Sequence, residues 1–412
     1  MSKLNVELYG HLLGYITEKT NNIHFEVNPD IFRNYPIATT IMSVSVPLIP
    51  RLTNIQNKRA ANFFSELLPE GKNLDWLTLG LPPKKRTTFG LLKTYGRDIA
   101  GALNIFDPTQ DSISNKPYTE HVDGKYIRFL LEHMPIAALA NAPKTGRTSL
   151  GGVQGKILLA RIEDKWHRVH NGYPSTHIIK SMSTDYPTMI YDEAFSMQLA
   201  YDIGLTKYPV WLENFDGLDA LVIERYDRTS NTQGGRIHQE DFNQALGAHG
   251  IEKYQEYGGK VNLKRIAQII EKHARHGDVI EFAKQVVFSV AIGNLDMHAK
   301  NISLLHDPHE GIQLAPVYDQ VPLLHHNTDG KMAMSINGVY EHHKITLDDI
   351  VKEIMAWNCN EMKSKEAIIT KVREWLEMIK AALCKVEVPN KAYPQLQSDI
   401  KNICIRIEGS TI

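Results

Sequence analysis

The stretch Asn294 to Leu304, "NLDMHAKNISL", carries an aspartate and an asparagine five residues apart, Asp296 and Asn301. That D-x-x-x-x-N spacing lets a carboxylate orient or deprotonate an attacking hydroxyl while the amide oxygen holds a metal on nucleotide phosphates. Eighteen residues further on, "LAPVYDQVPLL" ends a short apolar run at Asp319. A second carboxylate there would ligate magnesium, a hard ion that takes carboxylate, amide and phosphate oxygens. Taken singly, Asp296 is an ordinary helix-end cap and Asp319 a turn residue. The ordered set of three, in a helical part of the chain, points instead to phosphoryl transfer. Upstream, "THIIK" ends a strand candidate on Lys180, and Glu193 follows thirteen residues later near the start of a helical pattern. A strand lysine held by a helix glutamate is how kinase small lobes position the α- and β-phosphates. The plainer alternative is a solvated lysine and a first-turn glutamate favoured by the helix dipole.

A second group of residues surrounds these. "RTSLGGVQGK" (Arg147 to Lys156) packs Thr148 and Ser149 against Gly151, Gly152 and Gly155 and closes on Lys156. Glycine-rich turns ending in a lysine suit phosphates, although the spacing is not that of a P-loop and no Ser or Thr follows the lysine. "VIERYDR" offers an extended link in which Glu224, Arg225 and Tyr226 present backbone groups to an adenine edge; a plain strand end fits the same residues. The eighteen histidines, among them His249, His273, His276, His298 and the His325–His326 pair, show no metal-ligand spacing. "HEGIQ" at His309 is not H-E-x-x-H, and no G-x-S-x-G occurs, so zinc hydrolase and serine hydrolase chemistry are excluded.

The elements that must position these groups follow from periodicity. "KLNVELYGHLLGYITE" alternates around Gly10 as a hairpin, and "IHFEVNPDIF" and "TTIMSVSVPLIP" continue a strand-rich start. "AANFFSELLPEG" predicts a short helix stopping at Gly71, and "DSISNKPYTEH" a polar connector. "GKILLARI", "STHIIK" and "LDALVIERYDR" are strand candidates around the helix "DEAFSMQLAYDIGL", which Gly204 stops. After Arg228 the chain turns helical: "VNLKRIAQIIEKHARHG", "DVIEFAKQVVFSVAIGN", "ITLDDIVKEIMAW" with Thr346 as N-cap, and "SKEAIITKVREWLEMIKAALCK". These divide the 412 residues into a β-rich part (1–110), an α/β small lobe with the phosphate loop (111–228) and a helical catalytic lobe (229–412).

Composition reads as that of a soluble, globular chain. Hydrophobic residues make up 42% and charged ones 23%. A formal net charge of -1 disfavours autonomous nucleic-acid binding. No run approaches the roughly 18 apolar residues of a membrane span, and no signal peptide is evident. Cys359, Cys384 and Cys404 read as reduced thiols, and the expected location is the cytoplasm.

The chain resembles HipA-type serine/threonine kinases, the toxins of bacterial HipBA toxin–antitoxin pairs. The pieces that carry the resemblance are "YGHLLGYI", "FFSELLPEG", "GRDIAGAL", "SLGGVQGK", "THIIK", "VIERYDR", "LDMHAKN" and "VYDQVP". They run in order over nearly the whole chain, and "DMHAKN" is also similar to the D-R-H-x-x-N of lipid kinases. The resemblance implies an α+β, kinase-like bilobal fold related to lipid kinases, with a β-rich N-terminal domain and a helical C-terminal lobe. It implies that Gly151, Gly152, Val153, Gln154, Gly155 and Lys156 line ATP phosphates, with Lys180, Glu224, Arg225, Tyr226, His298 and Lys300 also at the nucleotide. Glu193 would form the structural ion pair. Asp296 would be the catalytic base, and Asn301 and Asp319 would hold Mg2+. Ser149 would be a site of inactivating autophosphorylation. The implied partners are a HipB-like helix-turn-helix antitoxin, DNA only through that antitoxin, and a protein substrate of the aminoacyl-tRNA synthetase type, glutamyl-tRNA synthetase being the best-known one. The alternatives are a small-molecule phosphotransferase and a non-catalytic corepressor subunit. Two positions depart from the family pattern: Gly155 where many relatives have glutamate, and Met297 where glycine is common.

Overall fold

In the computed structural model, residues 2–19, 22–79, 81–110, 116–133, 156–183 and 185–409 are described. Ser149 and the loop residues Gly151, Gly152, Val153, Gln154 and Gly155 lie outside them. The N-terminal alternation forms the expected hairpin. β1 (Lys3–Leu8) pairs antiparallel with β2 (His11–Lys19), and Leu8 faces His11 across a two-residue turn. Tyr9 and Gly10 have φ of 51° and 76°, the positive values that such a turn needs to match strand twist. With β3 (Asn22–Val27) and β4 (Asn104–Phe106) they form a sheet of order β3-β2-β1-β4.

Helix α1 (Asn54–Glu66) covers this sheet and buries Phe63 and Phe64 against Phe25. A capping box between Thr53 and Gln56 starts it. α1 thus begins earlier than the pattern suggested, and Gly71 opens α2 (Gly71–Leu79) instead of closing α1. α3 (Thr88–Tyr95) follows. "TTIMSVSVPLIP" is not a strand; its only pairing is an isolated bridge between Thr39 and Leu48. The physical reason is where its polar groups go. Ser43 Oγ donates to Glu240 at 2.6 Å, Val44 N donates to the same carboxylate at 2.8 Å, and Ser45 Oγ donates to Gln244 O at 2.7 Å. These bonds tie the segment to the helical lobe, and the prolines add no ladder donors.

The second sheet holds β5 (Tyr118–His121), β6 (Lys156–Ile162), β7 (Lys165–His170), β8 (His177–Ser181), β9 (Val210–Phe215) and β10 (Leu218–Glu224). Its order is β5-β7-β6-β8-β10-β9. Part of the polar connector is therefore the edge strand β5. Helix α4 (Gly124–Glu132) packs on one face through Ile127, Leu130 and Leu131 against Ile157, Leu159, Ile179 and Val222. Strand alternation sends Lys180 and Leu221 to the other face. There α5 (Met189–Asp202) lies on β9 and β10. α5 is buried on nearly every side, and its Phe195, Leu199 and Ala200 share a core with the C-terminal helices. The helix read as part of the small lobe is thus the seam between the two lobes.

The helical lobe is built around α8 (Asp278–Ile292), largely apolar and packed by α7 (Leu263–His273), α10 (Lys365–Leu383) and α11 (Leu396–Gly409). α9 (Leu347–Ala356) starts at Thr346, whose side chain accepts from Asp349 N. Three strands, β11 (His238–Asp241), β12 (Ser303–Asp307) and β13 (Gly311–Leu314), form a small sheet beside the short α6 (Phe242–Ala245). β14 (Lys331–Ile336) and β15 (Val339–Glu341) form a hairpin. No helix among the described residues is long and apolar enough to cross a membrane.

Candidate active site

Lys180, at the end of β8, lies between two carboxylates. Its Nζ donates to Glu193 Oε1 at 2.7 Å and Oε2 at 3.0 Å, and to Asp319 Oδ1 at 2.6 Å. Glu193 is fully buried in α5, whereas the Asp319 side chain is 41% exposed. Burial alone would favour a neutral amine, but the facing charges of Asp319 and Glu193 hold Lys180 protonated. Burial likewise pushes the Asp319 carboxyl up, and the charge and hydrogen bond of Lys180, with Lys156 beyond, override it and set it at about 2. Asp319 is therefore an anion with φ of 55°, a backbone setting uncommon outside glycine. Lys156 opens β6 directly across from Lys180. Burial and then the Lys180 charge lower its pKa to about 8.

The Asp296 segment lies in the turn after α8. Gly293 ends that helix with φ of 71°, its N–H donating to Ser289 O and Val290 O. Asn294 Oδ1 then accepts from Asp296 N at 3.1 Å. Asn301 Nδ2 donates to Asp296 O at 2.9 Å, which fixes the amide orientation and turns its oxygen away as an acceptor. Tyr254 Oη donates to Asp296 Oδ1 at 3.1 Å, and His298 Nε2 lies 3.8 Å from Oδ2. The Asp296 side chain is half exposed. The two segments are joined through Gln320. Its Oε1 accepts from Ser289 Oγ at 2.8 Å and from Asn294 Nδ2 at 3.3 Å, so the residue after Asp319 braces the residue two before Asp296.

The model of the HipA-like C-terminal domain matches residues 148–390, and that of the HipA N-terminal domain matches residues 4–106. This chain belongs to the HipA family. It is 31% identical over 341 residues to the Sinorhizobium fredii protein named "Putative kinase Y4mE", covering 81% of this chain and 80% of that one. It is 27% identical over 317 residues to the serine/threonine-protein kinase toxin HipA of Shewanella oneidensis, covering 73% and 71%. A solved structure of Shewanella oneidensis HipA with HipB and its operator DNA superposes with a TM-score of 0.80 at 20% identity, over 99% of this chain and 100% of that one. The fold is α+β and kinase-like. The relatives are named as kinases or putative kinases.

Other sequence-derived residues of this HipA-family chain sit in less open places. Arg225 is buried, its guanidinium bonded to Asp227 at 2.7 and 2.9 Å, to Ser175 Oγ and to Ile99 O. Its backbone N donates to Thr176 O, and Glu224 N donates to Pro209 O. Arg228 and Arg236 share Asp98 at 3.0 and 3.1 Å, so the "GRDIAGAL" segment is locked to the interlobe link. Tyr226 is tilted on Tyr318, ring centroids 5.4 Å apart, and Tyr318 Oη donates to Lys300 O. Lys300 Nζ turns to the N-terminal domain, bonding Glu66 at 2.8 Å and Glu70 at 2.9 Å. His298 is buried beside Tyr254, ring centroids 5.3 Å apart, and burial lowers its pKa.

The donor set fits magnesium: the Asp319 carboxylate and the Asn301 amide oxygen are the hard oxygens this ion takes, while nitrogen or sulfur donors would select another metal. Sequence reasoning missed Gln320, Asn294, Tyr254, Glu66 and Glu70. Gln320 adjoins Asp319 and Asn294 nearly adjoins Asp296, so proximity was a usable signal. Tyr254 and the two glutamates carry none, since they reach the site only through tertiary packing.

Proposed function

We propose that this chain is an ATP- and Mg2+-dependent protein serine/threonine kinase, the toxin of a toxin–antitoxin pair. The observation that carries the reading is the Lys180 ammonium held by Glu193 at 2.7 Å and by Asp319 at 2.6 Å, with Asp296 and Asn301 in the adjoining turn. Lys180 and Lys156 supply positive charge for nucleotide phosphates. Asp319 and Asn301 would hold magnesium, which neutralises charge developing on the transferred phosphoryl group. Asp296, half exposed and steered by Tyr254, accepts the proton of the attacking serine or threonine hydroxyl. The resemblance supports a translation protein of the aminoacyl-tRNA synthetase type as substrate. It also supports a HipB-like antitoxin as partner, through which DNA is reached, and Ser149 as a site of inactivating autophosphorylation.

Incubating the purified chain with γ-labelled ATP tests this. Label should appear on protein, with the phosphate on Ser149 by mass spectrometry. Asp296→Asn should lower the rate about 10²- to 10⁴-fold, since an amide takes no proton, while leaving the circular dichroism unchanged. Label only on a small molecule would make the chain a small-molecule phosphotransferase. No transfer at all would leave a corepressor subunit.

A further inference from the structure

The His325–His326 pair has no metal-ligand spacing in the sequence, yet folding brings it a third donor from 133 residues earlier. Asp192, in the first turn of α5 and fully buried, places Oδ2 3.0 Å from His325 Nε2 and 3.9 Å from His326 Nε2. One ligand atom from each of the three lies within 4.8 Å of the others, the single such cluster found among the described residues. His326 is the telling member. Its side chain is only 10% exposed, and its buried Nε2 has no hydrogen-bond partner. A buried polar atom left unpaired is unfavourable, and each such atom in a native fold calls for an explanation.

We propose that Asp192, His325 and His326 form a binding site for a divalent transition metal of the zinc type, with water in the fourth position. Two imidazole nitrogens and one carboxylate oxygen are a set that zinc takes, with bonds of about 2.0–2.1 Å. Tetrahedral ligands at that bond length lie roughly 3.3–3.4 Å apart, between the 3.0 and 3.9 Å seen here. The surroundings are those of a supported site. The other carboxylate oxygen, Asp192 Oδ1, accepts from Tyr393 N at 2.8 Å, which aims Oδ2 at the histidines. His325 is stacked on the Tyr393 ring at 4.2 Å, and His326 meets the edge of Tyr186 at 5.2 Å.

The position gives the ion a task. Asp192 immediately precedes Glu193, which holds Lys180, and His325 follows Asp319 by six residues. An ion here clasps α5 to the chain leaving Asp319 and thereby steadies the Glu193–Lys180–Asp319 triplet. That consequence rests on the kinase reading, whereas metal binding does not.

The test uses the full chain stripped by a chelator, then titrated with Zn2+ against a chromophoric chelator. About one equivalent should bind tightly, and Co2+ in its place should give the intense d–d absorption of a four-coordinate site. His326→Ala should weaken binding on the order of 100-fold, while its unfolding midpoint in chelator matches wild type. His326→Gln, closer in size, should behave the same way should His326→Ala unfold. Zinc should raise the unfolding midpoint of the wild type only. No stoichiometric zinc, or affinity unchanged in both His326 variants, overturns the site and leaves Asp192–His325 a plain buried hydrogen bond.

Discussion

Lys156 faces Lys180 across two neighbouring strands, and two ammonium groups in that arrangement oppose each other. Burial and that repulsion bring the Lys156 pKa from the usual 10.5 to about 8. Near pH 8 the free chain therefore holds this amine only partly protonated. A polyphosphate bound against it favours the charged form, so nucleotide binding at pH 8 should take up about half a proton. Calorimetry in buffers of different ionisation enthalpy reads this directly, and Lys156→Met should remove the uptake. Nucleotide binding with the same heat in every buffer would place the phosphates elsewhere. The sign for stability follows from the same shift. Between pH 8 and 10.5 the unfolded chain binds more protons at this site than the folded one, so the contribution of Lys156 to stability rises with pH across that window.

Helix α8 sets the position of Asp296 through its end. Gly293 adopts φ of 71°, and a Cβ there would lie 2.5 Å from Leu324 Cδ1 and 2.8 Å from its Cγ. The backbone strains any side chain there, and Leu324 must shift to admit one. Gly293→Ala should lose on the order of 1–2 kcal/mol from the left-handed backbone alone, and more where Leu324 cannot withdraw. Urea denaturation measures it; an unshifted midpoint would show that Leu324 and the turn yield freely. Leu324 belongs to the segment after Asp319, and Leu323 N donates to Gly293 O. The substitution should therefore disturb both halves of the site and reduce transfer as well as stability. The sequence announced α8 as an apolar helix ending near Asn294. It gave no sign that the turn packs against Leu324, because that contact spans the whole β12–β13 excursion.

The N-terminal domain is joined to the helical lobe by buried polar contacts. Tyr9 Oη donates to His306 O at 2.6 Å and accepts from His238 N at 2.7 Å. Glu66 accepts from Lys300 at 2.8 Å, from His249 at 2.7 Å and from Gly250 N at 2.8 Å. Burial opposes its charge, but these partners hold its carboxyl well below its usual value of 4.5. A depressed carboxyl stabilises the fold fully above 4.5 and loses that contribution as pH falls below it. Glu66→Gln should lower stability at pH 7 on the order of 3 kcal/mol, since it leaves the Lys300 charge buried with fewer partners. It should also flatten the loss of stability on acidification below pH 4.5. Chemical denaturation across pH checks both, and a parallel pH profile in wild type and variant would move the acid sensitivity to another group.

By itself the sequence determined what depends on neighbours along the chain. The Tyr9–Gly10 hairpin follows from alternation and a turn that tolerates positive φ, and α9 from the Thr346 cap. The order lysine strand, glutamate helix, Asp296 to Asn301, then Asp319 follows from motif spacing. Tertiary structure decided which of those residues meet. It brought Lys180 between Glu193 and Asp319, sent the Arg225 guanidinium to Ser175 Oγ and Ile99 O, and turned Lys300 toward Glu66 and Glu70. It also carried Asp192 to the His325–His326 pair, which no local spacing could signal. The physical reason is common to all four. Buried charges and polar atoms must find partners, and those partners are supplied by whichever elements the apolar faces of β8, α5 and α8 press together, at any separation in sequence.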